Sequence, residues 1–126
     1  MEVKTDTKEK FHVISVETDH LSANMTADLS RQLTPYLQSD NKNIVLKLPD
    51  VKSMDEEAAE ALVRMQQSFY EGGASFVICE LSNDLEAYLD SSDLLELMNV
   101  TPTESEAWDI VQMEEIEREL LGGMDE

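Results

Sequence analysis

The sequence predicts a single α/β domain with a four- to five-stranded, mostly parallel or mixed sheet and about four helices. Three observations point there. The chain has 126 residues, the size of one domain with one core. Short β-branched segments alternate along it with segments whose apolar residues recur at helical spacing, a pattern that implies parallel strands joined by right-handed crossovers. Two of the strand-like runs, Asn43–Leu48 and Ser75–Cys79, are almost continuously apolar, as strands covered on both faces are.

Each element follows in order. Val3 marks a short edge strand and Thr7–Lys10 a polar turn. Phe11–Glu17 alternates apolar and polar residues and reads as the next strand. Met25, Leu29, Leu33 and Tyr36 or Leu37 then share one face of a helix, capped by Ser22 or Asn24, which Pro35 kinks or ends. Asn43–Leu48 is a buried strand, and Asp50–Ser53 connects it to Asp55, a residue type that caps a helix start. The helix that follows carries Ala58, Leu62, Met65 and Phe69 on one side and stops at Gly72 and Gly73. After the Ser75–Cys79 strand, Ser82 or Asn83 opens a short helix bearing Leu85, Tyr88 and Leu89. Ser91–Leu97 forms a turn and a helical fragment before a brief strand near Met98–Val100. Thr103 and Glu106 have capping-box spacing, and they start a last helix whose Ala107, Ile110, Met113, Ile116 and Leu120 are expected to face inward. The expected domain spans 1–115, with 116–126 forming the end of that helix and an acidic tail that frays from Gly122.

Composition narrows the function. The chain holds 28 acidic and 9 basic residues, a formal net charge of -19, so nucleic acid and anionic membranes are expected to be repelled. Either the acidity simply keeps the chain soluble, or a protein with a basic or mixed face is the expected partner. The longest apolar runs fall well short of the ~20 residues that span a membrane. The N-terminal residues lack a basic stretch followed by an apolar one, and one cysteine, Cys79, permits no internal disulfide. The reducing cytoplasm is therefore the expected compartment.

Catalytic signatures are absent: there is no Gly-rich phosphate loop, no nucleophile elbow, and no His/Cys spacing suited to zinc. Cys79 sits in an apolar strand, where a thiol is ordinarily inert packing. The informative stretch is Pro49–Ala58, where a strand ends and three successive acids, Asp55, Glu56 and Glu57, open a helix. The plain reading is that Asp55 caps free N–H groups while Glu56 and Glu57 oppose the helix dipole. A rival reading makes Asp50, Asp55 and Glu56 the oxygen ligands of a metal- or nucleotide-responsive sensor. A third, a homodimer, would use Leu94, Leu95 and Leu97 as its contact patch.

The same stretch resembles the STAS domain family, the bacterial anti-sigma-factor-antagonist-like proteins. Asn43–Asp55 looks like that family's apolar strand, Asp/Ser-x-Val turn and acid at a helix start. The Gly-Gly helix end, the Phe76–Cys79 strand, the Leu85–Leu95 segment and the Thr103 helix continue the likeness, from about Phe11 to Met113. The resemblance implies a non-catalytic module that binds a regulatory partner, an anti-sigma factor or serine kinase, or serves as a subunit of a transport or signalling complex, with no cofactor. It also implies that a partner kinase phosphorylates the first Ser after the helix-start Asp. Here that position is Glu56, the second Ser is Glu57 and the Gly is Ala58, so a switch at Glu56 is not expected. By the same likeness Asp19, Ser22, Asp55, Glu56, Glu57 and Ala58 form the partner-facing surface, although Thr18–Ser22 departs from the family's Gly-Glu-Leu-Asp.

Overall fold

Among residues 1–124, which the computed structural model describes, the alternating segments become seven strands and four helices. β1 (Glu2–Thr7) and β2 (His12–Glu17) pair antiparallel, from Glu2 opposite Glu17 to Thr7 opposite His12. Every later pairing in the main sheet is parallel: β2 with β4 (Ile44–Lys47), β4 with β6 (Phe76–Cys79), and β6 with β7 (Val100–Thr101). The resulting mixed sheet has the order β1-β2-β4-β6-β7. Ile44, Val45, Leu46 and all of β6 are buried, which explains the unbroken apolar runs at those two strands.

The pleat divides the core. Ile14, Ile44, Leu46, Phe76 and Ile78 face one side, where they meet Leu29 and Leu33 of α1 (Ala23–Leu33), Leu62 and Phe69 of α2 (Glu56–Glu71), and Leu85 and Leu89 of α3 (Asn83–Ser91). Their neighbours in sequence, Val13, Val45, Val77 and Cys79, face the other side, where α4 (Glu104–Met124) packs Ala107 and Val111. This is the period-2 alternation of a two-faced sheet.

The helix ends follow local chemistry. Ser22 Oγ accepts from the Met25 N–H at 3.2 Å and Ser82 Oγ from the Leu85 N–H at 3.1 Å. The chain tightens into a 3₁₀ turn at Thr34–Gln38, where Pro35 has no N–H for a further α turn. α2 stops at Gly72, and the next residue, Gly73, has φ +80. Thr103 Oγ1 accepts from the Glu106 N–H at 3.2 Å, while the Glu106 carboxylate meets the Thr103 hydroxyl.

α4 is turned differently from the sequence expectation. Ala107 is buried as expected, but Val111 rather than Met113 follows it inward. Met113, Ile116 and Leu120 are 57%, 57% and 64% exposed. The cause is that α4 has apolar residues on two faces, and polar contacts choose between them. Glu115 accepts from Asn43 Nδ2 at 2.5 Å, Glu114 from Ser75 Oγ at 2.6 Å, and Arg118 donates to Ser75 Oγ at 3.2 Å. Trp108 stacks on Phe11 at 4.9 Å. Asn43, Ser75 and Phe11 immediately precede β4, β6 and β2, so they fix the rotation of the helix. It continues to Met124, and the rest of the expected tail, 125–126, lies outside the described residues.

Candidate functional site

β2 and β4 are parallel neighbours, so their C-terminal ends deliver two loops, 18–22 and 48–55, to the same edge of the sheet. There the loops pair as a small parallel ribbon, β3 (His20–Leu21) with β5 (Ser53–Met54). The Lys52 N–H donates to the Asp19 carbonyl at 2.8 Å and the Asp55 N–H to the Leu21 carbonyl at 3.0 Å. Leu21 and Met54 are buried beneath the ribbon, while His20 and Ser53 alternate to the outside. The ribbon was not foreseen from sequence, and it joins the N-terminus of α1 to that of α2.

Asp55 is the centre of that junction. Its backbone occupies the cap position of α2, yet its side chain makes no cap bond to that helix. One oxygen instead accepts from the Ala23 N–H, at the first position of α1, at 3.0 Å. The other lies 2.9 Å from His20 Nε2, and His20 Nδ1 lies 2.8 Å from Ser53 Oγ. The expectation that Asp55 caps its own helix is thus corrected: it caps the neighbouring one. With Asp55 ionised, His20 Nε2 donates, and in the neutral ring Nδ1 accepts from Ser53. The Ala23 N–H, followed by the His20 hydrogen bond, lowers the Asp55 carboxyl from its ordinary 3.8.

The other expected site residues divide. Asp19, Glu56 and Glu57 are exposed on this edge, and the two glutamates occupy the first turn of α2, where its dipole favours negative charge. Ser22 is half-buried, its hydroxyl engaged as the α1 cap. Ala58 is fully buried in the core cluster, so its expected place on a partner-facing surface is corrected. The metal reading is not favoured. Among the described residues, no group of three His, Cys, Asp or Glu side chains is placed to hold an ion, because the Asp55 carboxylate is turned toward α1 and His20 while Asp50 lines a separate depression with Asp19 and Asp84.

His20 and Ser53 are the residues that sequence reasoning missed. His20 sits in no motif, nothing in the Asn43–Asp55 stretch singles out Ser53, and the two are 33 positions apart. Only the β3–β5 register pairs them. Elsewhere, burial, followed by the charge of Glu80, pushes the Cys79 thiol up to about 12, which leaves it protonated and unreactive. His12 is held between Thr7 Oγ1 and the Asn41 carbonyl, each 2.9 Å away, and stacks on Tyr36. Leu94 and Leu95 pack against the core, leaving Leu97 as the exposed member of the expected dimer patch. Among the described residues, no helix is long and apolar enough to cross a membrane.

Known proteins share this architecture. None of the curated proteins compared with the chain matches it by sequence. Among solved structures, a STAS domain protein from Planctomyces limnophilus is 18% identical at a TM-score of 0.72, covering 87% of this chain and 97% of its own. An anti-sigma factor antagonist from Mycobacterium paratuberculosis is 13% identical at 0.73, covering 88% and 93%. A serine-to-glutamate variant of RsbS from Moorella thermoacetica is 14% identical at 0.67, covering 89% and 96%. At such identities the likeness establishes the fold. The family rests on the sequence itself: the model of the STAS domain matches residues 2–107, and the chain belongs to the STAS domain family.

Proposed function

We propose that this chain is a non-catalytic protein-interaction module that docks a regulatory protein, of the anti-sigma factor or serine kinase kind, through Asp19, Asp55, Glu56 and Glu57. The observation that carries the reading is the β3–β5 ribbon. It locks the loop bearing Asp19 to the start of α2, so Asp19 projects from hydrogen-bonded backbone and Glu56 and Glu57 from the first turn of a helix rather than from free loops. A pre-organised edge of that kind loses little entropy on binding. Its charge calls for a partner face rich in Lys or Arg.

Glu56 stands where the family's phosphoacceptor serine is expected, so docking here works without a phosphoryl switch at that position. A glutamate carries one negative charge, against about −1.5 to −2 for phosphoserine near neutral pH. It holds part of the modified state's charge permanently and accepts no phosphate in the way serine does. The cytoplasm, which holds regulators of this kind, is the compartment the reading implies.

Affinity capture from native cell extract tests it, with the folded wild type compared with Glu56→Lys and Asp19→Lys. The expected result is one stoichiometric protein partner on the wild type, lost from both variants. Identical recoveries on all three baits would overturn the assignment of this edge.

A further inference from the structure

We propose that the outward face of α4 is a second docking surface, made for a basic amphipathic helix of a partner protein. Met113, Ile116 and Leu120 follow one another at spacings of three and four along α4, and each is more than half exposed. That spacing forms the ridge that a second helix receives in its groove. Adjoining the ridge at Ile116 is a groove lined by that residue and by the stacked rings of Phe11 and Trp108. A stripe of this kind, rimmed by polar residues, marks an interaction surface on a protein whose core is already formed. Stability of the fold does not explain it, because the inward face of α4 is supplied by Ala107 and Val111.

Charge selects the occupant. Glu106, Asp109, Glu117 and Glu119 are exposed along the same helix, and none of them takes part in an ion pair among the described residues. The basic groups nearby are occupied: Arg118 points to Ser75 and Asn43, Lys10 lies 3.9 Å from Glu115, and Lys8, which also lines the groove, lies 2.9 Å from Asp6. A second copy of this chain would bring equally acidic flanks against these, with a formal charge of -19 on each copy, and an anionic membrane would be repelled in the same way. A helix with Leu- or Ile-like residues on one face and Lys or Arg beside them satisfies both the ridge and its acidic borders. The ridge also lies outside the STAS match, which ends at residue 107. Because α4 packs on the sheet face opposite to the one α2 covers, the ridge is separate from the edge at Asp55 and Glu56, and its test is independent of that reading.

Trp108 is the chain's single tryptophan, so its fluorescence reports on the groove directly. The full chain is titrated with a synthetic, tryptophan-free helical peptide whose face of Leu is flanked by Lys, while Trp108 emission and peptide helicity are followed. The expected result is a saturable blue shift and gain of helicity. A triple variant, Met113→Ser, Ile116→Ser and Leu120→Ser, keeps every charge and should weaken binding by at least about tenfold, the loss expected of buried apolar anchors. A control peptide with Glu in place of Lys should not bind. Equal binding by the triple variant would reduce the effect to unspecific charge attraction and overturn the proposal, as would the absence of a saturable shift. Sedimentation of the chain alone provides a further arm: a dimer abolished by the triple variant would assign the ridge to a second copy and overturn the basic-helix reading. Because the three side chains are exposed, the variant should melt with the wild type, and a matched melting curve establishes that it is folded.

Discussion

A carboxylate at a helix start ordinarily turns back onto its own first turn. Asp55 turns across to α1 because the β3–β5 ribbon brings two competing donors, the Ala23 N–H and His20 Nε2, within 3.0 Å and 2.9 Å. One side chain therefore secures the start of α1, the outer residue of β3 and, through His20, the Ser53 hydroxyl. Replacing it, as in Asp55→Ala, should loosen the ribbon and lower stability at neutral pH. The pH dependence follows from the sign of the shift. The folded carboxyl titrates below its unfolded value of 3.8, so its contribution is complete above that value and is lost as pH falls through the lower folded value. Urea unfolding of wild type and Asp55→Ala should thus differ most at neutral pH and converge in strong acid; a gap that persists there would mean the effect is not that of the ionised group.

Helices and strands carry predictions of their own. Leu62 is fully buried between α2 and the sheet, so Leu62→Ala should cost about 2–5 kcal/mol. The rotation of α4 is tested by a pair of variants. Val111→Ala removes two methyl groups from a fully buried position and should cost about 1.5 kcal/mol. Met113→Ala removes more atoms from an exposed one and should stay within about 0.5 kcal/mol. The reverse order in chemical denaturation would mean that the helix is turned the other way. At Gly73 there is open space around the position a Cβ would occupy, but φ is +80, so Gly73→Ala should cost about 1–2 kcal/mol from the backbone alone.

This contrast shows what could be read from the sequence at the level of elements. β4, β6 and the inward face of α2 were legible because one environment acts along their whole length. The phase of α4 beyond Ile110, which packs partly buried against the core as expected, was not, because Met113, Ile116 and Leu120 continue its stripe as regularly as Val111 continues the true inward face. The choice was made by Asn43 and Ser75, residues 72 and 39 positions away from their partners in α4.

Over the whole molecule, the same line separates local from long-range information. The acids at the start of α2 and the family likeness could be read directly. The site's organisation could not, because His20, Ser53 and Ala23 join Asp55 only after two distant loops pair. The global charge acts on every part at once. At a formal -19, the folded chain repels itself, and screening should relieve this. Its melting temperature should therefore rise as NaCl increases from about 0.01 M to about 0.5 M; a fall would place the dominant electrostatics in the few ion pairs instead.

Docking of a protein partner on the edge formed by Asp19 and the start of α2, with no phosphoryl switch at Glu56, is read out by photo-crosslinking in the native cell. A photoreactive residue at Glu57 is compared with one at Glu96, an exposed position outside the proposed edge, and the adducts are analysed by intact mass. One discrete protein adduct is expected from position 57, none from position 96, and an unphosphorylated chain within the adduct. Equal crosslinking from both positions, or an adduct found only with a phosphorylated chain, would contradict it.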